Sequence, residues 1–385
     1  MTDKERPAAP LRLTRALATA GASLVVVVVV SSAYLRLSQA GLSCADWPAC
    51  YGQVSGLVGT TAAQHGARLA HRFAATAVLF VLLALVAVSL TKRPREGRQA
   101  ALAFAALLVA GALGVIGAVS SETTRLVPLP AVTIANLGGG FALLALLWLV
   151  RETTLPPHSW GAPTSTGGSF IADATPKTAP PHSLRWLAVS TLVVAIAQVL
   201  LGALVSAKFA GLACPGVPLC GADVSLPAFR AAIDPFAPLD VDASRTIVRP
   251  AALASLHWAH RIGAHVVLAF AAALVFALAR AARRREAAAV ALLVAAQLAL
   301  GATSVLAGLP LPVVLGHNLV AALLLATLAA VTRRVHADAA QARRTENVSN
   351  AGAISAHHRS VMNEGVSSAH SAASAHPSRR NSCST

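Results

Sequence analysis

Long apolar stretches alternate along the chain with short polar segments that carry most of the basic residues. Eight of these stretches are each about long enough to cross a ~30 Å hydrocarbon layer as a helix. Lipid offers no hydrogen-bond partners to the backbone, so a spanning segment must form its own hydrogen bonds as a helix. The pattern predicts an all-α integral membrane protein with eight transmembrane helices. The predicted spans are 16–38, 69–91, 99–120, 130–150, 185–207, 251–280, 286–308 and 311–332.

Composition agrees with this pattern. Hydrophobic residues make up 56% of the chain and charged residues only 12%, whereas soluble domains carry about 25% charged residues. The net charge of +16 is spread over short clusters between spans and not along one amphipathic face, which argues against nucleic acid as a partner. The clusters all fall on one side of the membrane. By the positive-inside rule that side is the cytoplasm, so we expect a multi-pass protein of the cell membrane with both termini cytoplasmic.

Three segments outside the spans complete the predicted organisation. Residues 1–15 are a cytoplasmic N-terminus. Residues 152–184 are rich in Pro, Thr, Gly and Ser, and residues 335–385 in Ser, Ala, His and Arg. Neither composition buries enough apolar surface to offset the entropy of ordering. We expect a cytoplasmic linker at 152–184 and a disordered cytoplasmic tail at 335–385.

An internal repeat divides the rest of the chain. Three elements recur in the same order and at the same places relative to the spans, which indicates a tandem duplication of 16–151 and 185–334. Each half has an even number of spans, so both halves enter the membrane in the same orientation. The sequence predicts two tandem four-helix bundles. The recurring elements are Cys44-x5-Cys50 with Cys214-x5-Cys220, His71-Arg72 with His260-Arg261, and residues 128–137 with 310–319.

The paired cysteines lie on the predicted outer side, where thiols oxidise. Disulfides Cys44–Cys50 and Cys214–Cys220 that fix short loops are the favoured interpretation. Zinc ligation and a redox-active thiol pair remain alternatives at this point.

Two histidines in the second half are the strongest candidates for binding chemistry. His260 lies near the outer end of the sixth span and His317 near the outer end of the eighth. An imidazole inside a membrane helix is costly, so its presence there indicates a functional site. Imidazoles from two facing helices are natural axial ligands of a buried heme iron. Arg261 is placed to pair with a heme propionate. The plainer alternative is a hydrogen bond between helices, and we expect His257 and His265 to lie outside the ligand pair.

Residues 36–52, both His-Arg elements and residues 317–321 resemble the corresponding motifs of heme A synthases. The resemblance implies an oxidoreductase of heme A biosynthesis and cytochrome oxidase assembly. Such enzymes oxidise the C8 methyl group of heme O through a geminal diol to the formyl group of heme A. Their second half holds a heme b through two histidines, which His260 and His317 match. Their first half holds the substrate heme through two histidines, with a carboxylate three residues before the first.

The first half of this chain departs from that family pattern. His71 and Arg72 match it, but Arg68 stands at the position of the carboxylate, and the repeat alignment puts Ala135 opposite His317. The catalytic group of the first half is therefore unknown. This half either binds heme through His71 alone or is degenerate.

Two functions follow from these residues. The first is heme A synthesis, with heme b as cofactor, heme O as substrate, and iron ligands His260, His317 and His71. The second is a noncatalytic heme b-binding assembly protein or b-type electron carrier. The expected partners are the lipid bilayer, the farnesyltransferase that makes heme O and an unidentified electron-transfer protein. A homo-oligomer is compatible with the sequence.

Overall fold

The computed structural model describes residues 9–39, 61–90, 97–121, 129–155, 180–216, 218–239, 242–243 and 252–373. Over these residues the regular secondary structure is entirely helical, which confirms the all-α fold. In chain order the helices are α1 Ala9–Gln39, α2 Ala62–Leu90, α3 Gly97–Ser121, α4 Pro130–Thr153, α5 His182–Ala207, α6 Leu226–Ala232, α7 Ala252–Arg280, α8 Arg284–Leu306 and α9 Leu311–Ala373.

Eight of these helices are long and apolar enough to cross a membrane, as predicted. The exception is the short α6, which Ser225 caps by accepting a hydrogen bond from the backbone N–H of Ala228. The sixth, seventh and eighth spans are therefore α7, α8 and α9. Helices α1 and α2 begin seven residues before the predicted spans, at Ala9 and Ala62. Their first turns contain polar residues that a helix accommodates once it leaves the apolar layer.

The spanning helices pack as two rings of four. In the first ring, α1 and α3 each contact both α2 and α4, and in the second, α5 and α8 each contact both α7 and α9. Helices α2 and α4 thus stand at opposite corners of one ring, and α7 and α9 at opposite corners of the other. The rings meet where α4 contacts α9 and α5 and where α1 contacts α9. This pattern is consistent with the predicted tandem four-helix arrangement.

One large apolar core runs through both rings. Leu82 and Leu147 are fully buried in the first ring, and Leu274 and Leu328 in the second. Large apolar side chains such as Phe73 and Phe80 of α2 point outward, as expected of helices that face lipid. The core fixes the rotation of each helix and thereby the side chains that each turns toward the middle of its ring.

Helix α9 is longer than the last predicted span. It continues to Ala373, so the prediction of a disordered tail from residue 335 is wrong for the backbone of residues 335–373. Val335 and Ala339 are buried, so the helix still packs against its neighbours beyond the apolar layer. The next residues, 339–344, are alanine, glutamine and arginine, which favour helix. Residues 374–385 lie outside the described part of the chain, as does most of the predicted linker.

One end of the bundle carries a network of charged side chains. The buried carboxylate of Glu152, at the end of α4, pairs with Arg334 of α9, and Arg334 also lies 3.4 Å from Glu286 of α8. Arg283 pairs with Glu286 at 2.6 Å and with Asp338 at 2.8 Å. The network brings the basic clusters that follow the sixth and eighth spans to the same end. This arrangement agrees with the predicted cytoplasmic side, and the orientation itself stays a prediction.

Candidate functional site

His260 and His317 lie on the two helices at opposite corners of the second ring. His260 is eight residues from the first residue of α7 and His317 six residues from that of α9, or about 12 Å and 9 Å of helix rise. Both side chains are half-buried. The structure thus puts the two histidines that the sequence singled out at similar depth in one ring.

The imidazole of His260 packs directly against the neighbouring helix α5. A Cβ atom built at Gly202 would lie only 2.7 Å from Cε1 of His260. Gln198, one helical turn before Gly202, has its amide Nε2 2.9 Å from Nδ1 of His260 and 2.8 Å from the His260 backbone oxygen. The amide thus contacts both the ring and the backbone of the same residue.

His317 packs against α8 in the same way. A Cβ atom at Gly301 would lie 3.2 Å from Cε1 of His317, and Nε2 of Gln297 lies 3.1 Å from Nε2 of the ring. Nδ1 of His317 and Oε1 of Gln297 are buried, and neither has a hydrogen-bond partner among the described residues. Buried polar atoms are normally satisfied, so these two atoms mark a place where a further group would complete the hydrogen bonding.

These residues fit a porphyrin better than a bare metal ion. The described part of the chain holds no group of three or more His, Cys, Asp or Glu side chains arranged to bind a metal. Two imidazoles across a helical ring suffice for heme, because the porphyrin supplies the other four ligands of the iron. His260 and His317 are the residues that would hold a cofactor of this kind.

Arg261 contacts the outer loop. Its guanidinium donates to the carbonyl oxygens of Cys214, at 2.6 Å, and Gly216. Cys214 and Cys220 form a disulfide, which confirms the predicted pairing for the second half, while Cys44 and Cys50 lie outside the described residues. Arg261 therefore fastens the disulfide loop to the helical turn that carries His260. Its pairing with a propionate stays a prediction.

The other two histidines of α7 occupy different surroundings. His257, one turn closer to the start of the helix, is buried and contacts the backbone of Ala210. His265 is exposed, and its Nδ1 lies 2.8 Å from the backbone oxygen of Arg261. Neither belongs to the pair formed by His260 and His317.

The first ring places His71 at the corner that corresponds to that of His260. Nδ1 of His71, on α2, lies 3.4 Å from the backbone oxygen of Val28 and 3.5 Å from Oγ of Ser31, both on α1. Ala135 lies on α4, at the opposite corner, and provides no atom that binds iron. Arg68 is half-buried one turn before His71.

Arg72 is exposed. Its assigned role in cofactor binding, like the ligand role of His71, stays a prediction.

Gln198 and Gln297 are the site residues that the sequence prediction missed. A signal for them exists: a glutamine in an apolar span is costly, and each precedes a glycine by four residues, as Gln198-x3-Gly202 and Gln297-x3-Gly301. That signal becomes specific only when the two neighbouring helices are known.

Comparison with known proteins places the site in a family context. The sequence matches the family described as cytochrome oxidase assembly protein over residues 15–68 and 67–329. It is also similar to the heme A synthase of Shewanella oneidensis, with 30% identity over 325 residues that cover 80% of this chain and 92% of that protein. The family match includes residues of both rings. It covers positions 71 and 135 in the first ring and 260 and 317 in the second.

Proposed function

This chain belongs to the cytochrome oxidase assembly family, and on that premise we propose that it is a membrane oxidoreductase that converts heme O to heme A. The reaction in this proposal is oxidation of the C8 methyl group of heme O to a formyl group. The observation that carries the proposal is the arrangement of His260 and His317 at opposite corners of the second ring.

The second ring is the proposed heme b half. His260 and His317 would hold the iron, and heme b, when bound, would supply a one-electron carrier for the oxidation. The chain's own residues keep the rings in place: the glycines of α5 and α8 allow the imidazoles to approach, and Arg261 fixes the outer loop. With water as the source of the formyl oxygen, the methyl-to-formyl conversion releases four electrons and four protons, and we assign the electrons to an unidentified redox partner.

The first ring is the proposed heme O half, with His71 as its iron ligand and Arg72 as a contact to the substrate. The guanidinium of Arg68 has five N–H donors and no acceptor. It suits a heme propionate and cannot act as a general base. We therefore propose no side chain of the first ring as the general base.

The proposal has a location and partners. We place both termini in the cytoplasm and the protein in the cell membrane. Heme O comes from a farnesyltransferase, with which direct contact is proposed, and a homo-oligomer is compatible with the packing.

A second candidate function rests on the altered first ring. Ala135 and Arg68 replace the second ligand and the acid that the resemblance leads one to expect. A protein with only the second ring intact would bind heme b and assist assembly, or carry electrons, without oxidising heme O.

Heme analysis separates the two functions. The full chain is expressed in a membrane host that makes heme O and lacks any other enzyme that converts it, and extracted hemes are analysed by mass. We expect the hydroxylated and formyl products, and their loss in His71→Ala. Heme b without either product in the parent protein would favour the noncatalytic function.

The heme b ligands have a separate test. The purified protein is expected to show a low-spin b-type spectrum, because two imidazoles make the iron low-spin. His260→Ala or His317→Ala should abolish that signal or convert it to high spin. His265→Ala is the matched control, since His265 is an exposed histidine on the same helix as His260. An unchanged spectrum in both ligand variants would remove the pair as ligands.

A further inference from the structure

Each of the two proposed ligands rests on the same two-residue device of a neighbouring helix. His260 lies against Gln198 and Gly202 of α5, and His317 against Gln297 and Gly301 of α8. We name each Gln-x3-Gly element, 198–202 and 297–301, a glutamine–glycine cradle. Helices α5 and α8 stand at the two corners of the ring that do not carry the histidines. Each cradle therefore supports one imidazole from the side.

The spacing of the cradle explains why it suits an imidazole. Residues four apart lie on the same face of a helix, one turn from each other. A ring that rests on the glycine is then within hydrogen-bonding reach of the glutamine amide. Glycine is required at position 202, where a Cβ atom would lie 2.7 Å from Cε1 of His260, and favoured at position 301, where it would lie 3.2 Å from Cε1 of His317.

The first ring shows that the cradle is not needed for helix packing alone. The repeat that matches Cys44 with Cys214 puts Val28 and Ser32 opposite Gln198 and Gly202. His71 correspondingly meets the backbone oxygen of Val28 and not an amide side chain. The bundle thus forms with an apolar side chain at this position.

The amide group has a property that an apolar or acidic side chain lacks. It offers both a donor and an acceptor. In the structure Nε2 of each glutamine lies at hydrogen-bond distance from a ring nitrogen. A neutral imidazole that binds iron through one nitrogen carries its proton on the other, and an amide oxygen is able to accept that proton's hydrogen bond. A glutamine can therefore form a hydrogen bond with the ring whether the facing ring nitrogen accepts a hydrogen bond or donates one.

We propose that Gln198 and Gln297 are positioning residues that set the orientation and basicity of His260 and His317, and that Gly202 and Gly301 give the rings the space to adopt it. The inference rests on the proposed heme b site of the second ring. When a side chain accepts a hydrogen bond from an iron-bound imidazole, the imidazole becomes more basic and stabilises the oxidised iron. The cradles would thus hold the potential of the heme low and keep the heme bound.

The glutamine variants test this directly in the full-length, heme-loaded protein. Gln198→Met and Gln297→Met keep the size of the side chain and remove the hydrogen bond. We expect an upward shift of the heme b midpoint potential and a loss of heme retention of about tenfold or more. Gln198→Glu and Gln297→Glu keep an acceptor and add charge, and they should shift the potential downward. A merely structural role would not give shifts of opposite sign.

The glycine variants add an independent measurement. Gly202→Ala and Gly301→Ala should lower the low-spin fraction, because the added methyl group moves the imidazole. Gly316→Ala is the matched control: it lies next to His317 in sequence, and its Cβ would meet Leu300 at an ordinary 3.5 Å. The Met variants lose only a polar group from a membrane span and are expected to fold. They therefore test the positioning role even if an alanine variant fails to fold.

Two results separate failure of the inference from failure of the proposed function. If the potential and heme retention of the Met and Glu variants equal those of the parent while His260→Ala and His317→Ala still abolish the low-spin signal, the cradles are not positioning elements. If the histidine variants leave the spectrum unchanged, the proposed site is wrong and the inference with it.

Discussion

Replacing Glu152 with glutamine removes the carboxylate that ties the end of α4 in the first ring to α9 in the second. Its side chain is 1% exposed and that of Arg334 is 13% exposed. Nε of Arg334 lies 2.8 Å from Oε2 of Glu152, and a second guanidinium nitrogen contacts the same oxygen. The pair is thus well shielded from water and close to the interface between the rings.

The magnitude follows from this geometry. At 2.8 Å and an effective dielectric constant of about 20, Coulomb's law gives about 6 kcal/mol for the pair. Desolvation of both groups offsets much of this, and breaking a buried pair usually costs about 3–5 kcal/mol. Arg334 keeps Glu286 at 3.4 Å when Glu152 is neutral, so we expect Glu152→Gln to lower the free energy of unfolding by about 3 kcal/mol. The coupling energy between Glu152 and Arg334 should be about 2 kcal/mol.

A double-mutant cycle measures that coupling. Glu152→Gln, Arg334→Gln and the double variant are unfolded in mixed detergent micelles, and tryptophan fluorescence gives the free energy of unfolding. Asp338→Asn is the matched control at the same end of the bundle. Asp338 pairs with Arg283 and its side chain is 35% exposed, compared with 1% for Glu152, so we expect its loss to cost only about 1 kcal/mol. A coupling energy below about 0.5 kcal/mol, or a loss equal to that of Asp338→Asn, would refute the reasoning.

Three further outcomes are expected. Ala135→His should create a second heme signal that depends on His71, because the two positions stand at opposite corners of the first ring; unchanged heme content and spin state in a folded protein would contradict it. Arg261→Lys should speed reduction of the adjacent disulfide, measured by timed thiol labelling, because the bidentate contact to the loop is lost; a changed heme spectrum with an unchanged reduction rate would favour the propionate role. Reporter fusions near Gly56 and at Gly167 should read external and cytoplasmic respectively, and the opposite result would overturn the predicted orientation.

The spans were predictable because their cause is local. In lipid each apolar stretch must form its backbone hydrogen bonds within itself. Its length and composition therefore predict a spanning helix without knowledge of the neighbouring helices. The ends of helices were less predictable. Helix α2 begins at Ala62 and α9 continues to Ala373, because a helix that leaves the apolar layer is no longer limited by hydrophobicity, and its extent then depends on local propensity and on contacts such as that of Val335.

The histidine pair was predictable for a related reason. An imidazole in a membrane span is costly enough to stand out, and the repeat and the spacing put His260 and His317 at similar depth. The bonding of Cys214 to Cys220 likewise followed from a short separation on one side of the membrane. The contacts of Arg261 were not foreseen, since an arginine beside a ligand is equally placed to bind a propionate or a loop carbonyl until the loop is folded.

The sequence by itself determined that the chain is a membrane protein with eight spans, a repeated four-span unit and one well-matched pair of histidines. The tertiary structure alone decided which helices are neighbours: α5 beside α7, and α8 beside α9. That choice sets Gln198 and Gly202 against His260, and Gln297 and Gly301 against His317. The glutamines are 62 and 20 residues from their histidines in the sequence. Helix adjacency and rotation arise from the packing of the whole ring, so no single segment of the chain encodes them.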